Sequence, residues 1–240
     1  MKQQIFIGGH YSSGSRVPQL LLEQTHDIAC NNIHRDYEPG FSEKDNTWVE
    51  RILRGEQPPF PDTADSVITK PDVEYPKMFK EPFSLKNPDF MLAIPYIKKL
   101  FPKSVFILVV RHGVDQVLCE NRTMTHRFAK YFGLKAKFDL NREMQFWNLA
   151  YKKAYKHADY ILRLEDLVLD TKKTVSKLVK FLDIPYPDTS MIKKPDSMGR
   201  RFKKCSVFGY DDGVKHNYTP ALKGDLVTIG KEMLTNFNYD

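Results

Sequence analysis

Three features of the 240-residue chain predict a P-loop-like α/β fold of three layers, with a central, mainly parallel sheet flanked by helices. Short β-branched or aromatic runs, apolar on both faces, alternate with stretches of helical periodicity, as strands covered from two sides do. The first run opens into a Gly/Ser-rich turn and then a helix. Each run stops at a glycine or a charged residue, the edge where such folds turn into helices and bind ligands.

Gln4–Gly8 is the first strand, and the helical stretch Val17–Gln24 comes after its turn. From Pro88, a favourable first-turn residue after Asn87, a helix is expected to reach Leu100 with a kink at Pro95. Val105–Val110 is the second strand. Met144, Trp147, Tyr151 and Ala154 mark one helical face, and Tyr160–Leu164 is the third strand. Asp170 and Thr171 are the caps of a helix striped with Val175, Leu178, Val179 and Leu182, and a last helix runs near Leu222–Phe237. Residues 55–77 carry Pro58, Pro59, Pro61, Pro71 and Pro76 and read as a surface excursion with the character of a lid. Residues 193–217, rich in Lys, Arg and Gly, read as a basic C-terminal loop. The length suits one core, so residues 1–240 are expected to form a single domain.

Composition narrows the function classes. No apolar run approaches the roughly 20 residues that cross a bilayer. The run at Ile5 stops at Gly8–Gly9, too short for a secretory core, so a soluble protein without a membrane segment is expected. Cys30, Cys119 and Cys205 form neither a CxxC pair nor a metal-ligand set, so no structural metal is expected and the reducing cytoplasm is the natural compartment. A surplus of 37 Lys+Arg over 30 Asp+Glu suits an anionic ligand. The basic residues are dispersed with no aromatic–basic module, so no nucleic-acid partner is expected. Oligomeric state leaves no mark in the sequence.

The first strand leads into Gly8-Gly9-His10-Tyr11-Ser12-Ser13-Gly14-Ser15-Arg16. Gly9 and Gly14 have the G-x-x-x-x-G spacing of a phosphate loop, whose backbone N–H groups and succeeding helix attract an anion. A nucleoside-triphosphate loop continues with Lys and Ser/Thr, the latter a Mg²⁺ ligand; Ser15 and Arg16 stand there instead. A phosphate cradle without the metal apparatus fits better. The second strand runs into Arg111-His112-Gly113-Val114-Asp115, where Arg111 can clamp a phosphate in bidentate fashion and Asp115 can orient it or cap a helix. Cys119 and Arg122 fall about one and two turns further on, on a similar face. In Arg163-Leu164-Glu165-Asp166-Leu167 a structural Arg163–Glu165 pair beneath the site is expected. Lys80 and Glu81 stand side by side before an expected helix.

Taken together, these motifs resemble the sulfotransferases that use 3′-phosphoadenosine 5′-phosphosulfate (PAPS). Ser12-Ser13-Gly14-Ser15-Arg16 is similar to that family's 5′-phosphosulfate loop. Arg111 through Cys119 is similar to its 3′-phosphate element, an Arg eight residues before a Ser, with Cys119 in place of the Ser. Arg163-Leu164-Glu165-Asp166-Leu167 with Phe181-Leu182 resembles R-Y-E-D-L and its F-L ending. The order of motifs matches over roughly residues 4–202. A branch pairing an S-G-T-R loop with K-E-P resembles the chain more closely, through Arg16, through Lys80-Glu81-Pro82 and through Asp45-Asn46-Thr47-Trp48. Many members carry a catalytic cation where this chain has Ser12.

The resemblance implies PAPS as sulfuryl donor, the 3′,5′-bisphosphate PAP as product, and no required metal. It implies that Ser12, Ser13, Gly14, Ser15 and Arg16 hold the 5′ end, and Arg111, Cys119 and Arg122 the 3′-phosphate. Ser197-Met198-Gly199-Arg200 resembles the late segment that closes on the same phosphate, through Arg200 or Arg201. Sulfuryl transfer leaves new charge on the departing phosphate, so a nearby cation stabilises the transition state. Lys80 is the first candidate and Arg16 the second; Glu81 is the candidate general base, with His10, His26 and His34 as alternatives. The acceptor is expected to be a hydroxyl or amine of a glycan or small molecule. The rivals are a P-loop kinase or nucleotide-processing enzyme, and a non-catalytic PAP or polyanion binder on the same scaffold.

Overall fold

The computed structural model describes residues 4–10, 12–25, 29–31, 83–86, 88–92, 94–117, 140–193 and 220–239. Gln4–Gly8 (β1), Ala29–Asn31 (β2), Phe83–Lys86 (β3), Val105–Val110 (β4) and Tyr160–Arg163 (β5) form one sheet in the order β2-β3-β1-β4-β5. Every pairing is parallel, so the fold is α/β as expected. The chain leaves β1 for strands on one side and then returns to fill the other. β1 is therefore the switch point, and the crevice beyond its carboxyl end is where such sheets place ligands.

The period-two alternation of a strand builds the layers. In β1, Phe6 faces one side and Ile5 and Ile7 the other; in β4, Phe106, Leu108 and Val110 oppose Ile107 and Val109. α4 (Leu140–Tyr155) and α7 (Pro220–Asn236) cover the first side with Met144, Trp147, Tyr151, Met233, Leu234 and Phe237. On the second side lie α1 (Arg16–Leu22), α5 (Leu164–Leu169) and α6 (Thr171–Leu182), bringing Leu21, Leu167, Val175 and Leu178. Asp170 caps α6 as expected, accepting from the Lys173 N–H at 3.4 Å. Among the described residues no helix is long and apolar enough to cross a membrane.

Several expectations change. The stretch from Pro88 to Leu100 is not one kinked helix: a 3₁₀ turn over Pro88–Leu92 precedes α2 (Ile94–Leu100). Pro95 falls in the first turn of α2, where its missing N–H costs nothing, so it starts a helix instead of bending one. The third strand stops at Arg163 because Leu164 opens α5. Directly after Pro82 the chain enters β3, not a helix. β2 and β3, of three and four residues, are too short for their periodicity to show in the sequence. The excursion at 55–77 and the loop from 194 to 217 lie outside the described residues.

Candidate functional site

The described residues of the β1 loop form a tight turn whose shape depends on its glycines. Gly14 sits at φ +83°, and a Cβ there would meet the Leu164 methyls at 2.7 and 2.9 Å. A Cβ on Gly9 would lie 2.3 Å from the Val109 carbonyl and 2.7 Å from Ser13 Oγ. Ser12 adopts φ 63°, a left-handed conformation costing about 1 kcal/mol or more for a non-glycine residue, held here by the turn around it. Ser13 is fully buried, and its hydroxyl lies against that of Tyr151. Ser15 occupies the N-cap of α1 without spending its hydroxyl on the helix. Arg16 opens α1 and places Nη1 3.3 Å from Gln19 Oε1.

β4 pairs with β1, so its end arrives beside this loop. Arg111 is 4% exposed, and its Nη1 donates to the Ser12 carbonyl at 3.4 Å. Asp115 lies in the first turn of α3 (Gly113–Val117). The third motif supports both neighbours. Leu164 packs under Gly14, and Glu165 Oε1 accepts from the His112 N–H at 2.8 Å. The expected Arg163–Glu165 pair is replaced: Arg163 Nε lies 3.9 Å from Asp166 Oδ2, while Glu165 holds His112 and the Tyr239 hydroxyl.

A buried polar chain fixes the loop from the other side of the sheet. The Tyr151 hydroxyl donates to the Val109 carbonyl at 2.8 Å and accepts from the His10 N–H at 3.1 Å, so one side chain ties β4 to the cradle. Burial, partly offset by the hydrogen bond from His10, pushes that hydroxyl well above its ordinary pKa and keeps it a donor. Trp147 Nε1–H donates to Gln116 Oε1 at 3.0 Å, which turns the Gln116 amide N–H₂ toward His10 Nδ1 at 3.1 Å. That geometry assigns His10 the neutral tautomer with its proton on Nε2. A ring in that state donates, which argues against His10 as the general base.

β3 delivers a residue that the sequence motifs do not mark. It begins at Phe83 opposite Gln4 and ends at Lys86 opposite Ile7, one residue before the end of β1. The Gly9 N–H then donates to the Pro88 carbonyl at 3.4 Å, joining the chain after Lys86 to the cradle. A lysine that closes a strand immediately before Asn87-Pro88 was the available signal. Of the other expected site residues, Lys80, Glu81, Cys119, Arg122, Arg200 and Arg201 lie outside the described residues, as do His26 and His34.

Residues 4–188 match the model of the sulfotransferase family. The chain belongs to the sulfotransferase family. Among curated sulfotransferases, protein-tyrosine sulfotransferase 1 of Danio rerio is 28% identical over 200 residues, covering 77% of this chain and 54% of that protein. Protein-tyrosine sulfotransferase of Drosophila melanogaster is 26% identical over 219 residues, covering 81% and 42%. The chain thus spans about half the length of the curated relatives it matches. Two solved sulfotransferase structures share the fold. The sulfotransferase domain from the curacin biosynthetic pathway has TM-score 0.58 at 15% identity, covering 100% of this chain and 99% of that one. Mouse sulfotransferase SULT7A1 complexed with PAP has TM-score 0.52 at 14% identity, covering 98% and 86%.

For a sulfotransferase cradle, the glycines and the Ser15 hydroxyl, which makes no cap bond to α1, fit an anionic group at the β1 loop. Tyr151 is the support most exposed to test. Tyr151→Phe leaves the Val109 carbonyl and the His10 N–H without that partner in a dry site, at a cost of about 1–3 kcal/mol. The expected outcome is a melting temperature lowered by roughly 2–12 °C in thermal unfolding. An unchanged melting temperature would contradict the bridging role.

Proposed function

We propose that this chain transfers a sulfuryl group from PAPS to a hydroxyl or amine acceptor, as one sulfotransferase-like domain over residues 1–240. The observation that carries the reading is the Arg111 contact with the Ser12 carbonyl, which brings the β1 cradle and the β4 terminus to one crevice. An adenosine bisphosphate presents two anionic ends, and this crevice has an anion-binding element on each side. Family membership and the solved relative bound to PAP support the same ligand.

In this reading Ser12, Ser13, Gly14, Ser15 and Arg16 hold the 5′ end. Arg111 holds the 3′-phosphate, with Cys119, Arg122 and Arg200 or Arg201 as further candidates. PAPS supplies an activated sulfuryl group on a phosphate leaving group. Its transfer needs positioning and neutralisation of the charge that grows on the bridging oxygen. Lys86 is the cation the sheet itself carries to the loop, and we assign it that role ahead of Lys80 and Arg16. His10, protonated at Nε2, is suited to donate to an anionic oxygen. The base stays with Glu81 as candidate. Ser15 and Arg16, in the places where a triphosphate loop puts Lys and Ser/Thr, support a site that works without a divalent ion. The names of the curated relatives support a protein tyrosine hydroxyl as acceptor over the glycan or small molecule expected from sequence. The three dispersed cysteines support the cytoplasm as compartment.

Ligand-dependent melting separates this reading from a kinase. PAP at about 100 times its dissociation constant is expected to add roughly 2.7 kcal/mol, raising the melting temperature by about 5–10 °C. Stabilisation by ATP–Mg²⁺ but not by PAP would favour the kinase. The cation assignment has its own test in single-turnover transfer to a tyrosine peptide. Lys86→Ala is expected to lower the rate at least about 100-fold with PAP affinity changed less than about threefold, while Lys80→Ala retains most activity. The opposite pattern would return the role to Lys80.

A further inference from the structure

Tyr239 reaches the third motif by a defined route. α7 ends in a Schellman motif: Asn238 adopts φ 56°, its N–H donates to the Thr235 carbonyl at 2.9 Å, and the Tyr239 N–H returns to the Leu234 carbonyl at 2.9 Å. Asn tolerates the left-handed conformation this needs, so the turn is written locally in the sequence. The turn delivers Tyr239 to a set of charged and polar groups. Its hydroxyl donates to Glu165 Oε2 at 2.6 Å, its ring lies 4.3 Å under the Arg163 guanidinium, and the His112 ring meets it edge-on at 5.0 Å.

Glu165 is 5% exposed, and both of its oxygens are engaged: Oε2 by Tyr239, Oε1 by the His112 N–H. His112 directly succeeds Arg111, so that N–H belongs to the turn that sets the position of Arg111 at the end of β4. Burial and then the Glu165 charge push the Tyr239 hydroxyl far above its ordinary pKa, which keeps it a donor. Burial holds the His112 ring below its ordinary value; Glu165 opposes that, while Arg111 and Arg163 add to it, so the ring stays neutral. The carboxylate therefore has one fixed orientation, defined by a residue 74 positions away in sequence.

We propose that Tyr239 is a positioning residue of the 3′-phosphate site, acting through Glu165 and the His112 N–H to fix the turn that carries Arg111. This rests on reading Arg111 as the 3′-phosphate ligand. A merely structural role for Tyr239 would loosen binding of any nucleotide. A positioning role penalises only the 3′-phosphate.

The experiment is calorimetric titration of PAP and of 5′-AMP, which lacks the 3′-phosphate, into wild-type protein, Tyr239→Phe and Glu165→Gln. Tyr239→Phe keeps the ring between Arg163 and His112 and removes only the hydroxyl. It is expected to weaken PAP about fivefold to tenfold while leaving AMP affinity as in the wild type. Glu165→Gln is expected to lower the PAP preference similarly, with the double variant no worse than the poorer single variant. If PAP and AMP affinities fall together, or neither changes, the positioning role is overturned. A wild-type protein that binds both but without preference for PAP would overturn the Arg111 reading itself, and this inference with it.

Discussion

The parallel pairing of β4 against β1 is the constraint on which the site depends. It places the turn after Val110 beside the turn after Gly8, two loops about a hundred residues apart in sequence. The Arg111–Ser12 contact is the consequence. A parallel sheet brings every strand end to the same edge, so chemistry separated along the chain converges without long loops. The crossing from one side of β1 to the other opens the crevice those ends share.

A crevice flanked by buried polar groups is costly unless each has a partner, because unmade hydrogen bonds in a dry interior cost about 1–3 kcal/mol each. Two chains of contacts answer part of that cost, one from each covering helix on the same side of the sheet. From α4, Tyr151 bridges the Val109 carbonyl and the His10 N–H, and Trp147 orients Gln116 against His10. From the end of α7, Tyr239 closes the coordination of Glu165, whose other oxygen holds the turn at His112. Leu164 fills the space beneath Gly14 from the opposite layer. The loops after β1 and β4 are thus set by side chains from three helical elements of the fold.

What was legible in the sequence is what lies in linear order. The strands Gln4–Gly8 and Val105–Val110 stand out because they are apolar on both faces, and Gly9, Gly14 and Arg111 stand at their ends with recognisable spacing. What was hidden depends on register and on contacts across the fold. The place of Lys86 beside the end of β1 depends on β3 pairing with β1 so that Ile7 stands opposite it. Tyr151 reads as one more apolar stripe residue, and no local pattern reveals that its hydroxyl meets His10. The Arg163–Glu165 pair was expected from proximity in sequence. Leu164 opens α5 between the two residues, so Glu165 turns to His112 and Tyr239, and Arg163 to Asp166 and the Tyr239 ring.

The central claim is that one ligand spans both strand ends, with Arg111 gripping the phosphate remote from the β1 cradle. A thermodynamic cycle that removes the arginine and that phosphate, separately and together, measures this grip without reference to catalysis. Arg111→Ala is expected to erase most of the wild-type preference for PAP over 5′-AMP, a coupling of at least about tenfold. An alanine variant that still discriminates between the two nucleotides as well as the wild type would show that the phosphate is held elsewhere, and the account would fail.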